Sequence, residues 1–178
     1  THSHYDHCSV ADINKIVKDG TTILVSADAQ SKITKLKFNV NMHVIEPDKE
    51  VAFGDLRIST LPAYNTDKPF HPKSEGWLGF LVRTGGVLIY HAGDTDLIPE
   101  MQKLTGFCGN CQNFIALLPV GGRFTMTAEE AAEAAHLIKP TLAIPMHYGS
   151  VAGTEEDAKE FVGLCMEQGI KAEILGKD

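Results

Sequence analysis

Residues 1–7, Thr-His-Ser-His-Tyr-Asp-His, place His2, His4 and His7 with the carboxylate of Asp6 in one short stretch. Imidazole and carboxylate are the preferred ligands of zinc and other divalent first-row metals. Four such donors at this density point to two adjacent metals rather than one. If the stretch is extended, side chains two apart share a face. His2, His4 and Asp6 would then converge, and His7 would turn toward a second centre. The alternation with Ser and Tyr separates this stretch from a homopolymeric tag.

Two further acceptors of chemistry stand farther along. His91-Ala-Gly-Asp94-Thr follows an apolar run, and Pro145-Met-His147-Tyr follows another, so Asp94 and His147 both fall at expected strand ends. Residues 62–76, rich in proline and poor in apolar periodicity, form a loop longer than the ~12 residues at which loops are commonly functional. This loop carries Tyr64, Asn65, His71 and Lys73.

The elements that must position these residues read as a mixed α/β pattern. Ser9 caps a short helix stopped by Gly20, and the segments 21–26 and 42–45 are strand-like, with a helical stretch at 29–36 between them. Gly54-Asp55 joins two strands as a hairpin, and Thr84-Gly85-Gly86 joins 77–82 to 87–90. The last third alternates: strand 114–120, a helix opened by the Thr127-x-x-Glu130 capping box, strand 142–146, a helix capped by Thr154, and a closing edge strand at 171–175. Hairpins early and strand-helix units late predict packed sheets covered by helices. No internal repeat or linker divides the chain, so one domain over 1–178 is expected.

The 178 residues are 43% hydrophobic and 22% charged, an ordinary globular composition. A formal net charge of −7 argues against a general nucleic-acid or anionic-membrane partner. No run approaches the ~20 apolar residues of a membrane helix. Four cysteines are too few for a disulfide scaffold, and Cys108-Gly-Asn-Cys111 reads as a loop with two incidental thiols, consistent with a cytoplasmic location. Asp12 and Asp96 read as caps or surface charge, His136 as a helix-surface residue, His43 as a strand residue, and His91 as a neighbour of ligands rather than a ligand.

The set His-x-His-x-Asp-His, a Gly-Asp-Thr after a strand and a late strand-end His resembles the metallo-β-lactamase-fold hydrolase superfamily over nearly the whole chain. The resemblance implies an αββα sandwich, N-terminally incomplete, since the family has strands upstream of its signature. It implies a first metal on His2 and His4, a second on Asp6, His7 and His147, and Asp94 bridging both. The family's third histidine for the first metal falls in register at Asn65. His71, six residues on, is assigned to the substrate side, with a fold back to the metal as the alternative.

Within the superfamily the chain looks most like stand-alone hydrolases near the ascorbate-phosphate lactonases and phospholipase-D-type phosphodiesterases. The implied cofactors are two divalent ions, zinc first, with manganese or iron as alternatives. A metal-bridging hydroxide would attack an ester, lactone or phosphodiester of a small-molecule substrate, for which an anionic group is one expectation, with Asp6 and His71 catalytic. Tyr64, Lys73, Arg123 and Tyr148 are the expected substrate contacts, the two cations suiting a carboxylate or phosphate. A homo-oligomer could supply the missing sheet edge. The reading from another class is a non-catalytic metal-binding or interaction module that keeps the fold.

Overall fold

The computed structural model describes residues 1–109 and 111–176. Two sheets carry the fold. The smaller pairs β1 (Thr22–Val25) with β2 (Asn41–Val44) in parallel. The larger has six strands in chain order: β3 (Glu50–Phe53), β4 (Leu56–Pro62), β5 (Leu78–Thr84), β6 (Val87–His91), β7 (Asn113–Pro119) and β8 (Leu142–Met146). Its first four strands are antiparallel, with hairpins joining β3 to β4 and β5 to β6 and a long loop joining β4 to β5, whereas β6, β7 and β8 run parallel. A parallel step needs a long crossover, and the segments 92–112 and 120–141 provide it.

The helices follow their sequence signals. In α1 (Val10–Ile16) the Ser9 hydroxyl accepts from the Asp12 N–H, and in α3 (Ala128–Ile138) Thr127 and Glu130 form a reciprocal capping box. The short α2 (Gln30–Ile33) continues a 3₁₀ turn over Ala27–Ala29. Thr154 and Asp157 cap α4 (Glu155–Glu167), the remaining helix among the described residues. Six of the eleven residues of α3 are buried, five of them alanines, so its backbone lies close against the sheet. The main core is formed there by Tyr90, Phe114, Leu118, Met126 and Phe161. A second cluster, Cys8, Val25, Ala29 and Ile33, closes the small sheet against the N-terminal turn.

Two expectations of local structure are corrected. The segment expected as a closing strand makes one parallel bridge, Ala143 to Ala172, because only the Lys171 carbonyl and Glu173 N–H reach Ala143 before the chain diverges. Cys108 and Cys111 are joined as a disulfide across a tight turn, with Cα atoms 5.2 Å apart, so they are a bonded pair rather than incidental thiols. Asn110 between them lies outside the described residues. No described helix is long and apolar enough to cross a membrane.

Candidate metal centre

The histidine-rich stretch is a turn and not an extended strand. The N–H groups of His7 and Cys8 both donate to the His4 carbonyl, at 3.1 and 2.8 Å. This reverses the chain after His4, so the pairing expected of an extended strand is corrected. His2 and His4 fall on one side of the turn and Asp6 and His7 on the other. Three contacts anchor it. The Leu78 N–H at the start of β5 donates to the Thr1 carbonyl at 3.2 Å, Asp28 accepts from the Ser3 N–H at 2.9 Å, and Lys32 donates to the Ser3 carbonyl.

Distant elements bring the other donors to the same place. Asp94 leaves the end of β6 through Gly93, whose φ of +69° and close approach to the Leu78 carbonyl leave no room for a Cβ. His147 follows β8 with φ +58°, a left-handed conformation costly for a side-chain-bearing residue. Gly121 at the end of β7 makes room for it: a Cβ there would stand 2.6 Å from the His147 carbonyl oxygen. The loop over 62–76 folds back and delivers His71.

The result is two groups of donors that share one carboxylate. His2, His4, His71 and Asp94 form one, and Asp6, His7, His147 and Asp94 form the other, with donor atoms within 4.8 Å of one another in each. Asp94 Oδ2 lies 3.2 Å from His71 Nε2 and 3.4 Å from His147 Nε2, while its Oδ1 is 3.1 Å from His7 Nε2. Asp6 Oδ2 is 3.4 Å from both His7 Nε2 and His147 Nε2. Two donors bound at 2.0–2.2 Å to a tetrahedral ion stand about 3.4 Å apart, so these spacings suit metal ligation.

The bonding state of the atoms makes the same case. His2 Nε2, His7 Nε2, His71 Nε2, His147 Nε2 and Asp94 Oδ1 are buried without a hydrogen-bond partner. Buried polar atoms are nearly always paired. Five orphans aimed at one another therefore fit cations in both groups. On three of these four histidines the opposite ring nitrogen is engaged, whereas His147 Nδ1 is buried without a partner: Thr1 Oγ1 lies 3.0 Å from His2 Nδ1 and 3.2 Å from His7 Nδ1. His71 Nδ1 is 3.0 Å from the Phe124 carbonyl oxygen, an acceptor, so the proton sits on Nδ1 and Nε2 offers its lone pair.

Electrostatics keep these groups in their metal-binding forms. Burial, followed by the charge of neighbouring His7, pushes the His2 imidazole down to about 2, and His4 is lowered by burial and by His71. Burial works to raise the Asp94 carboxyl, yet the adjoining His7 and His71 imidazoles hold it well below the usual carboxylate range. A neutral His2 and His4 beside an ionised Asp94 are the protonation states that ligation requires of them.

His71, and not Asn65, joins the donors, which is the alternative in which the loop folds back to the metal. The structure brings His71, 1% exposed, into the first group rather than to the substrate side. Asn65 stands behind it, its Oδ1 2.9 Å from the His71 N–H and 3.0 Å from His71 Nδ1. The Asn65 amide donates in turn to Asp96 and to the Phe124 carbonyl, at 3.0 and 2.9 Å. Asp96, expected at the surface, is buried and also accepts from the Thr66 N–H and from Lys68 Nζ at 2.7 Å.

The four expected substrate contacts lie outside the cleft above the centre. That cleft, about 280 Å³, is lined by Tyr5, Phe70, Phe124 and Val151 around the donors. Tyr64 is buried and donates to Glu100 at 2.9 Å, and Lys73 Nζ pairs with the same Glu100 at 2.7 Å. Arg123 stacks over the Phe124 ring at 4.9 Å, and Tyr148 faces a separate groove with Glu155 and Lys159. Sequence reasoning passed over Asp28 and Trp77. Trp77 Nε1 donates to Asp28 at 2.8 Å while its ring packs 4.7 Å from His2 and 4.9 Å from His4.

The comparisons with known proteins agree with this geometry. A sequence profile described as "Beta-lactamase superfamily domain" matches residues 1–148. The chain is 32% identical over 176 residues to a UPF0173 metal-dependent hydrolase of Symbiobacterium thermophilum, covering 98% of this chain and 75% of that protein. The chain belongs to the metallo-β-lactamase superfamily, in its UPF0173 metal-dependent hydrolase family. Among solved metallo-β-lactamase-fold relatives, Igni18, a metallo hydrolase of Ignicoccus hospitalis, superposes with a TM-score of 0.74 at 27% identity, over 98% of this chain and 73% of its own. The metallo-β-lactamase fold protein YhfI of Bacillus subtilis shares the fold with a TM-score of 0.70 at 13% identity, over 98% and 73%. The αββα expectation is met by two sheets, each packed against helical residues: the large one against α3 and α4, the small one against Ala29 and Ile33.

Proposed function

We propose that this chain is a dinuclear hydrolase that cleaves an ester, lactone or phosphodiester, with zinc as the first choice of metal and manganese or iron as alternatives. The observation that carries the reading is Asp94, a single buried carboxylate whose two oxygens serve both donor groups. In this reading His2, His4 and His71 would hold one ion, Asp6, His7 and His147 would hold the other, and the Asp94 carboxylate would be available to both. Ions held by these residues would supply a nucleophilic hydroxide at neutral pH and polarise the scissile bond.

The chain's own residues have separable tasks. Asp6 is more open to solvent than Asp94, with side-chain exposures of 18% and 4%, so Asp6 is the carboxylate that can pass a proton to a leaving group. His71 is a ligand in this reading, held by Asn65 and the Phe124 carbonyl. Phe70 and Phe124 shield the centre on the open side and keep water off the reacting bond. Residues 1–178 act as one unit in this reading, because donors as far apart in sequence as His2 and His147 meet at Asp94.

Elemental analysis and assay test the proposal together. Purified protein should hold about two divalent ions per chain and hydrolyse a lactone, a 4-nitrophenyl ester or bis-4-nitrophenyl phosphate, and chelation should abolish turnover. Asp94→Asn should lose 10²-fold or more in kcat/KM, on the order of the loss of a principal electrostatic group. Less than one ion per chain together with no turnover that His2→Ala abolishes would leave the non-catalytic module as the better description.

A further inference from the structure

Each residue that walls the cleft is tied to a donor, by sequence or by a hydrogen bond. Tyr5 lies between His4 and Asp6, Phe70 immediately precedes His71, Phe124 supplies the carbonyl that fixes His71, and Val151 follows His147 by four. The wall therefore cannot drift independently of the centre. Phe70 and Phe124 meet edge to face with ring centroids 4.8 Å apart. Tyr5, Phe70 and Val151 are 71%, 40% and 38% exposed, and apolar surface left open together around a site marks a place for apolar contact.

The cations of the neighbourhood are engaged elsewhere. None of the residues lining the cleft is Lys or Arg, among the described residues. Lys68 is bound by Asp96 at 2.7 Å, Lys73 by Glu100 at 2.7 Å, and Arg123 lies over the Phe124 ring. An anionic group carried away from the reacting bond would find aromatic edges there and no counter-charge, and an uncompensated charge is costly to desolvate. An apolar group would instead be buried against three rings.

Resting on the hydrolase reading above, we propose that the substrate carries an uncharged aryl or alkyl group against Tyr5, Phe70, Phe124 and Val151, so that the enzyme selects neutral esters or lactones over phosphodiesters and carboxylate-bearing esters. The scissile bond faces the donors, and specificity resides in the wall. This replaces the anionic substrate expected from Lys73 and Arg123, which point to Glu100 and to the Phe124 ring.

Binding of hydroxamates to the metal-loaded protein tests this without turnover, because every member of the series offers the metals the same head. Titration calorimetry would compare 3-phenylpropanohydroxamate, hexanohydroxamate and the carboxylate-ended monohydroxamate of adipic acid. The phenyl and alkyl tails should bind about tenfold tighter or better than the carboxylate tail, the scale of burying one apolar group. Phe70→Ala and Phe124→Ala should flatten that preference, Phe70→Lys should reverse it, and Arg123→Ala should leave it unchanged. Equal or tighter binding of the carboxylate tail overturns the proposal, and its loss in Arg123→Ala would assign anion recognition to Arg123. If no hydroxamate binds protein that retains its metal, the hydrolase reading fails and this one falls with it.

Discussion

Asn65 shows how a residue in a ligand's register can serve the centre without ligating. Its Oδ1 faces both the backbone N–H and the Nδ1 edge of His71, and its amide is held by Asp96 and Phe124. Removing it frees the His71 ring to rotate and leaves the Asp96 carboxylate short of a donor. Asn65→Ala should weaken binding of one of the two ions by about 10–100-fold, the usual effect of losing a ligand's hydrogen-bond partner. Competition with a fluorescent chelator measures this, and two unchanged affinities would sink the positioning role. His2, His4, Asp6, His7, Asp94 and His147 were legible in the sequence because each stands in a dense motif or at a strand end. His71 was legible only as a candidate, since reach across a folded-back loop is not encoded in spacing. Asp96, Asp28 and Trp77 gave no signal, because their importance lies in what they touch across 20 to 50 residues of chain.

At the scale of elements, the donors are delivered by strand ends whose backbones approach too closely for side chains. The strand segments, the two hairpins, the Thr127 capping box and the Thr154 cap could be read locally, since each depends on neighbours in sequence. The sharp turn over residues 3–8 could not, because the Asp28, Lys32 and Leu78 contacts that hold it are long-range. Gly93 is the point at which β6 hands Asp94 to the centre. Gly93→Ala would force a Cβ to 2.7 Å from the Leu78 carbonyl at a positive φ. The conformational term alone is of order 1–3 kcal/mol, so the melting temperature should fall by roughly 5 °C or more. Because the displaced strand end carries Asp94, both metal affinities should fall together. A variant that melts normally and keeps both ions would show that β6 and β5 can separate without disturbing the site.

At the scale of the whole molecule, a ring of buried imidazoles makes stability depend on pH in a direction the structure fixes. Burial pushes His91 down to about 4 and His2 to about 2, against an ordinary value of 6.5. Between the folded and unfolded values the unfolded chain binds more protons than the folded one, so stability rises with pH. The contribution is complete above about pH 6.5 and is lost progressively on acidification, through pH 4 for His91 and lower still for His2. For His91 alone the loss at pH 5 relative to neutrality is about 2 kcal/mol. Metal-free protein should therefore melt several degrees lower at pH 5 than at pH 7 in scanning calorimetry, and His91→Gln should remove part of that slope. Metal-loaded protein should start from a higher melting temperature at pH 7, since ions that bind only the folded chain stabilise it by mass action. Its slope should be steeper on the acid side, because protons compete with the ions for the same His2, His7 and His147 nitrogens. A loaded protein whose melting temperature did not respond to acid would place the ions on groups other than these imidazoles.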